Sequence, residues 1–496
     1  MTDAFMLSAE TDKQKVQMAS VSILAAPAEG QRPVTRQVLQ DLVAERIHLA
    51  PALHRKLMHV PLRIDFPYWV NDSDIDLDYH VRAFALPSPG DERALSEAVG
   101  QLVSEPFDHA RPLWQLYVIE GLKDGRVAVM FKLHHAVVDG ISGLDLHTML
   151  FDQSPAGRDV LPPSSDLSGA PSRRELLARG VARMPGQCLR VLLGGIRSLP
   201  YLDQLMPFRV LPGVGILART LRWLARLARL GGEGTLIEGK GLKAPKTALD
   251  RPVTSNQRSW AFARVSLDEA KRVKDHYGVT LNDVMVATTT GAILHLLLGL
   301  GGVPEEPLVA LIPISVRGEG TEPNGNLVQV MLIELPTTEE DPEKRLLQTH
   351  EALRVAKERH HAVPATAMRG ADELLMPALF IRASRAAALL SGMAGVTTNV
   401  VISNVPGPSV PVYVAGAQVE ALYPVGGVIE GFGFSTIVFS YCADLAVGFT
   451  FTKDSPADPW WLTEAYERSH RELVGLLDSF EQHQFPLTLP PDLAAG

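Results

Sequence analysis

Cysteine is nearly missing from this sequence: Cys188 and Cys442 are the only two in 496 residues, far apart and in no CxxC arrangement. A disulfide framework is thereby excluded, and a reduced, cytoplasmic setting is the expectation. A basic excess is missing too, with 47 Lys and Arg against 56 Asp and Glu for a net charge of −9, which does not suit a nucleic-acid binder. The opening Met1-Thr2-Asp3-Ala4 has no basic stretch followed by an apolar run, so a secretory signal is not expected. No GxSxG motif occurs, which argues against a serine acyl-enzyme, and no internal repeat or low-complexity tract stands out. Long uncharged runs are limited to residues 284–304 and 386–419. The first contains Thr288-Thr289-Thr290 and His295, and the second is broken by Asn399, Asn404 and three prolines, so both are expected as buried core and not as membrane spans.

What is present is an ordinary globular composition, 46% apolar and 21% charged, long enough for two cores. The expected division is 1–165 and 246–496, joined by a basic segment over 166–245. The distinctive stretch is His134-His135-Ala136-Val137-Val138-Asp139-Gly140. It follows RVAVMFKL, in which Val127, Val129, Phe131 and Leu133 alternate with Ala128, Met130 and Lys132 as in a nearly buried strand. If extended backbone continues, the two imidazoles point to opposite sides, one into a cavity and one into the structure behind it. One base and one support is the reading that follows. Asp139-Gly140 then turns the chain, and Ser142 with Asp145 forms a capping-box pattern for a helix. A histidine pair at a strand end is, taken alone, more often a hydrogen-bonded core feature than a base, whereas the complete HHxxxDG is far more specific. Zinc is disfavoured, because neither i, i+4 histidines nor matched cysteines accompany the motif.

Spacing predicts helices over 37–49 and 91–107 and strands over 114–119 and 127–133, the last two a hairpin around Asp124-Gly125. Trp114, an aromatic at a strand start, is expected in the core. Ser266 with Glu269 opens a helix ending at Gly278, and Thr280 with Asp283 opens another reaching about residue 298. Asp283 is therefore read as a capping-box acid, and Asn282 as a neighbour at the same helix start. Strands are expected over 308–316, 328–335, 397–404, 437–441 and 446–451, with a closing helix from Asp458-Pro459. Two nucleotide-like patterns carry no site. The GxxxxGK of Gly234 to Lys240 lacks the Ser/Thr and runs into Pro245, and the GxGxxA from Gly213 follows Pro212 with no βαβ unit around it.

With these residues in view, the sequence resembles the acyltransferase superfamily that includes chloramphenicol acetyltransferase, carnitine acyltransferases and peptide-synthetase condensation domains. More narrowly, it resembles the bacterial wax ester synthase/diacylglycerol acyltransferases. The narrower likeness rests on Pro112-Leu113-Trp114, Asn282-Asp283, Pro313-Ile314-Ser315-Val316-Arg317 followed by Gly325-Asn326, and Ser403-Asn404-Val405-Pro406-Gly407-Pro408, in order along nearly the whole chain. Gln17-Met18-Ala19-Ser20 departs from it, standing where such enzymes usually have Pro-Met-His-Val. The resemblance implies an α/β fold of two chloramphenicol acetyltransferase-like domains, mixed sheets flanked by helices, with the active site in a tunnel between them. It implies transfer of a long acyl group from acyl-CoA to a fatty alcohol or diacylglycerol, with His135 as base, His134 as support and Asp139 paired with Arg317. Gly140, Asn282 and Asp283 are then structural support of the site. Coenzyme A enters only as the acyl donor, and neither a bound cofactor nor a metal is expected. A condensation-type enzyme using a carrier-bound acyl group is the alternative within enzymes, and an idle lipid-binding relative the alternative outside them.

Between Arg173 and Leu230 the chain has eleven arginines, no lysine and two acids, a net +9 that leaves −18 for the remainder. Arg219, Arg222, Arg226 and Arg229 share one helical stripe, with Leu217, Leu221, Leu224 and Trp223 largely elsewhere. This is the pattern of an interfacial helix, giving an expected peripheral place on the inner membrane or on lipid droplets; a solvated helix packed between domains is the equal alternative.

Overall fold

The computed structural model describes residues 7, 10–137, 149–161, 171–198, 220, 244–250, 253–315, 328–362, 398–428 and 433–484. The earlier chain yields β1 (Gln17–Leu24), α1 (Arg36–Arg46), the short pair β2 (Arg55–Met58) and β3 (Tyr68–Asn71), the single turn α2 (Leu77–His80), β4 (Val81–Ala85), α3 (Glu92–Ser104), β5 (Trp114–Glu120), β6 (Val127–His134) and α4 (Arg173–Ser198). Local chemistry sets the boundaries. Thr35 caps α1, and Asp91 caps α3 by accepting from the Ala94 N–H at 2.9 Å. Helix α1 tightens into a 3₁₀ turn over Ile47–Leu49. Helix α3 stops three residues short of the expected 107, because Glu105 precedes Pro106 and is extended. Asp124 and Gly125 both have positive φ, 67° and 72°, the conformation that Asp-Gly accommodates between β5 and β6.

The later chain yields β7 (Arg258–Ser266), α5 (Leu267–Tyr277), α6 (Leu281–Gly299), β8 (Leu308–Ser315), β9 (Val328–Leu335), α7 (Pro342–Ala362), β10 (Val400–Val405), β11 (Tyr413–Val414), β12 (Ala417–Val425), β13 (Phe434–Tyr441), β14 (Asp444–Thr452) and α8 (Pro459–Gln484). Ser266 caps α5, which Gly278 closes at φ 65°. Thr280 and Asp283 form the expected reciprocal capping box at the start of α6. By length and composition α6 could cross a membrane, yet 78% of that window is buried in the protein, and the helix packs on α7 and α8. Its Thr288, Thr289 and Thr290 hydroxyls return to carbonyls four residues back at 2.8–2.9 Å, so the helix needs no outside partner for them. Of the second uncharged stretch, residues 398–419 form strands and their connections, and 386–397 lie outside the described residues.

The strands make two mixed six-stranded sheets flanked by helices, in the orders β11-β12-β1-β6-β5-β4 and β7-β14-β13-β10-β8-β9. Pairing is parallel between β4 and β5 and along β8-β10-β13, and antiparallel elsewhere. The sheets exchange chain: β11 and β12 follow β10 in sequence but complete the first sheet through the pairing of Ala19 with Val425. The proposed chain segments 1–165, 166–245 and 246–496 are thus crossed by residues 413–425.

One face of each sheet buries its own helices, and a third core joins the two sheets. There Ala19, Val21, Ile23, Met130 and Tyr423 of the first meet Trp260, Phe262 and Ala446 of the second. Helix α3 covers the edge strand β7 and satisfies its backbone. Ser104 Oγ accepts from the Arg258 N–H at 2.9 Å, and the Ser96 hydroxyl donates to the Trp260 carbonyl. Gly100 allows this approach, since a Cβ there would stand 2.7 Å from the Arg258 oxygen.

Candidate active site

Strand β6 delivers the paired histidines. His134 is its last residue, opposite Gln17 of β1, and its N–H donates to the Leu113 carbonyl at 3.0 Å. The next N–H, of His135, donates to Val16 at 3.0 Å, and that of Val137 returns to His134 at 2.9 Å. The expectation that extended backbone continues through both residues therefore fails at His135: the return bond has already closed a turn.

The two imidazoles are treated differently. His134 is fully buried, and its Nδ1 accepts from the Ala136 N–H at 3.0 Å, which leaves Nε2 to carry the ring proton. Nε2 faces Glu10 Oε1 at 3.4 Å, an electrostatic contact longer than an aligned hydrogen bond. The other oxygen, Oε2, lies 3.1 Å from His109 Nε2. Burial alone raises the Glu10 carboxyl, but the close approach of His109 and the contact and charge of His134 outweigh it and hold the group well below the usual carboxylate range. The rings of Phe107 and His109 meet His134 edge-on at 6.5 and 6.1 Å. His135, by contrast, is only half-buried.

Two residues before His134 on the same strand face, Lys132 is completely buried. Its Nζ donates to the Glu105 carbonyl at 2.5 Å and stands 4.7 Å from the centre of the Phe107 ring. Desolvation pulls this ammonium down to about 7, against opposition from Glu105.

The flanking motifs resolve into supports. Leu113 receives the His134 N–H, and Trp114 is fully buried, with its indole N–H donating to Leu53 at 2.8 Å and its ring stacked on His80 at 4.2 Å. Trp114 is core, as expected. Asp283 accepts from Thr280 N–H at 2.8 Å and contacts His350 Nδ1 at 2.7 Å, tying α6 to α7. Asn282 is half-buried in the same helical turn. Among the described residues no hydrogen bond or ion pair joins Asn282 or Asp283 to His134. Asp139, Gly140 and Arg317 lie outside the described residues, as do Ser142, Asp145 and the arginine stripe 219–229. Gly407 packs against Ser440, whose Oγ accepts its N–H at 3.1 Å. Glu10, His109 and Lys132 were not singled out as site residues by sequence reasoning, and Gln17 entered only as part of the stretch that departs from the family pattern; the Glu10–His134 contact joins residues too far apart to leave a local signal. No group of three or more His, Cys, Asp or Glu side chains suited to a metal ion occurs among the described residues.

The arrangement of two mixed sheets that exchange strands is similar in fold to the solved structure of a wax ester synthase/diacylglycerol acyltransferase from Marinobacter aquaeolei. The TM-score is 0.65 at 27% identity, covering 96% of this chain and 98% of that one. The family model for the wax ester synthase/diacylglycerol acyltransferase catalytic domain matches residues 1–285, and that for the family's C-terminal domain matches residues 324–474. Two Mycobacterium tuberculosis proteins, each provisionally named a diacylglycerol O-acyltransferase, are 30% and 32% identical, over 96% of this chain and 90% and 99% of their own lengths. The chain belongs to the wax ester synthase/diacylglycerol acyltransferase family.

Proposed function

We propose that this protein transfers a long-chain acyl group from acyl-CoA to the hydroxyl of a fatty alcohol or diacylglycerol, giving a wax ester or triacylglycerol and free coenzyme A. The observation that carries the reading is the unequal treatment of the paired histidines in a chain of this family. His134 is buried, with Nδ1 hydrogen-bonded to the Ala136 N–H and Nε2 facing the Glu10 carboxylate, while His135, one residue on, is half-buried on a turn stapled from Val16. His135 takes the hydroxyl proton as the alcohol oxygen attacks the thioester carbonyl. The tetrahedral adduct then collapses, the C–S bond breaks, and the imidazolium returns the proton to the departing thiolate. An imidazole with an ordinary affinity of about 6.5 suits both transfers at neutral pH. His134 and Glu10 position the turn, and the pairing of Asp139 with Arg317 is carried over from the family resemblance alone. Purified protein given palmitoyl-CoA with hexadecanol or diolein should release free thiol and product ester in equal amounts; thiol release without ester would replace transfer by hydrolysis.

Both acceptors partition out of water, so the enzyme works from the cytoplasm at an anionic membrane or lipid-droplet surface. Helix α4 supports this side of the reading. Near its start it buries Leu176 and Gly180 and exposes Arg173, Arg174, Arg179 and Arg183, and Gly180 rests on Val60 and Ile64 next to Leu62, which is 85% exposed. Each basic residue near such a surface contributes about 1 kcal/mol, fading within roughly 8 Å at physiological salt. Glutamine at 219, 222, 226 and 229 together should weaken sedimentation with anionic liposomes by up to about 4 kcal/mol. Binding insensitive to both salt and this change would place the arginines against protein.

A further inference from the structure

The seam between the two sheets contains polar side chains that the mechanism above does not use. Gln17 is opposite His134 on one side, and on the other the β1–β12 register runs on to Gly427, where a Cβ would lie 3.3 Å from the Gln17 carbonyl. Alternate residues of β1 starting from Gln17 (Ala19, Val21 and Ile23) pack in the core shared with the second sheet, so the Gln17 side chain lies on the seam face. It is only 2% exposed, and among the described residues neither its amide oxygen nor its amide nitrogen has a hydrogen-bond partner. Across the seam, Ser435 of β13 is 3% exposed, and its hydroxyl is likewise unpartnered among the described residues. That hydroxyl lies against Gly426, where a Cβ would collide with it. The adjacent glycines 427 and 426 thus lie against the Gln17 backbone and the Ser435 hydroxyl respectively, which brings these two residues to neighbouring positions of one connection. Leaving such groups unpaired costs stability, and native proteins seldom do so without a use.

We propose that Gln17 and Ser435 form a subsite for a neutral carbonyl-bearing group of a substrate, placed beside the catalytic turn. The amide offers two N–H donors and one acceptor, and the serine adds one donor. The nearby cations are already engaged: the guanidinium of Arg258 donates to the carbonyls of Ser255, Gln257, Lys13 and Val428, at 2.9, 3.0, 3.2 and 3.4 Å, and Lys132 Nζ donates to the Glu105 carbonyl. Among the described residues, neither Arg258 nor Lys132 is thus left over for the phosphate end of coenzyme A. Two substrate groups share the required chemistry: the ester carbonyls of a diacylglycerol, a few bonds from its reacting hydroxyl, and the amides of the pantetheine arm, a few bonds from the reacting sulfur. A long-chain alcohol has neither.

This inference rests on the acyl transfer proposed above, and the test keeps the two apart. Steady-state constants are compared for wild type, Gln17→Met and Ser435→Ala with diolein, hexadecanol and palmitoyl-CoA, alongside melting temperatures without ligand. Losing the subsite should not lower the melting temperature of Gln17→Met, since an unpaired amide is replaced by an apolar side chain of similar length. If the subsite holds the glyceride ester, the ratio of kcat/KM for diolein over hexadecanol falls about tenfold in both variants. If it holds pantetheine, KM for palmitoyl-CoA rises about tenfold with either acceptor. Constants within about twofold of wild type throughout would overturn the subsite while leaving the transferase reading intact. A wild type that esterifies neither acceptor would end both.

Discussion

Replacing Glu10 by glutamine keeps the side chain's shape and removes its charge, which isolates what the carboxylate does for the paired histidines. The side chain is 7% exposed and faces His109 at 3.1 Å and His134 at 3.4 Å. Hydrogen bonds involving a charged group contribute roughly 1.5–3 kcal/mol, about twice a neutral bond, and glutamine retains a neutral acceptor. The expected loss is therefore about 1–2 kcal/mol at pH 7, read as a difference in urea unfolding free energy. The pH dependence has a definite sign. Because the imidazoles hold the Glu10 carboxyl below its ordinary 4.5, the folded protein keeps it ionised where the unfolded chain has taken up a proton. Its stabilisation is complete above that value and drains away as the pH falls below it, so the gap between wild type and Glu10→Gln should close on acidification. Catalysis should suffer through position: kcat falls about tenfold with KM nearly constant, within the roughly hundredfold that a 1 Å misplacement costs. Equal stabilities at pH 7 together with an unchanged kcat, or a gap that widens with acid, would refute the reasoning.

Two further outcomes follow from the geometry. Burial lowers Lys132 from 10.5 to about 7, so the unfolded chain binds more protons between those values and wild-type stability should climb over that range. Lys132→Met should flatten the climb and stabilise the protein at pH 6 by roughly 3 kcal/mol, once the lost cation–π contact is allowed for, as urea titrations at pH 6 and 10 would show. Asp283→Ala removes both the capping-box acceptor and the contact with His350, and should cost about 2–3 kcal/mol of stability. Activity per folded molecule should stay within about twofold, in keeping with a structural role.

Much of the fold was legible wherever a local signal sets local structure. The Thr280/Asp283 box, the Ser266 cap, the Gly278 stop and the Asp124-Gly125 turn each act over a few residues, and each is where the sequence placed it. Long-range pairing was not legible. Strands β1 and β12 join Ala19 to Val425, and nothing in either stretch names its partner, so the exchange of strands between sheets was missed. The site shows the same division. The strand that carries His134 can be read from the alternation in 127–133, whereas Glu10, His109 and the buried Gln17 acquire meaning only when the sheets assemble. Lys132 looked like one more inward position of a strand, and its burial depends on the carbonyl that Glu105 presents at the end of α3, its hydrogen-bond partner among the described residues.

The central claim is that His135 is the base of acyl transfer to an alcohol, and its most direct test is a thiol-release and product-ester assay of His135→Ala with palmitoyl-CoA and hexadecanol or diolein. With the base lost from a half-buried turn and not from a packed layer, the variant should fold with wild-type circular dichroism and urea stability while ester formation falls by at least about a hundredfold. A folded His135→Ala protein that makes ester near the wild-type rate would contradict the assignment.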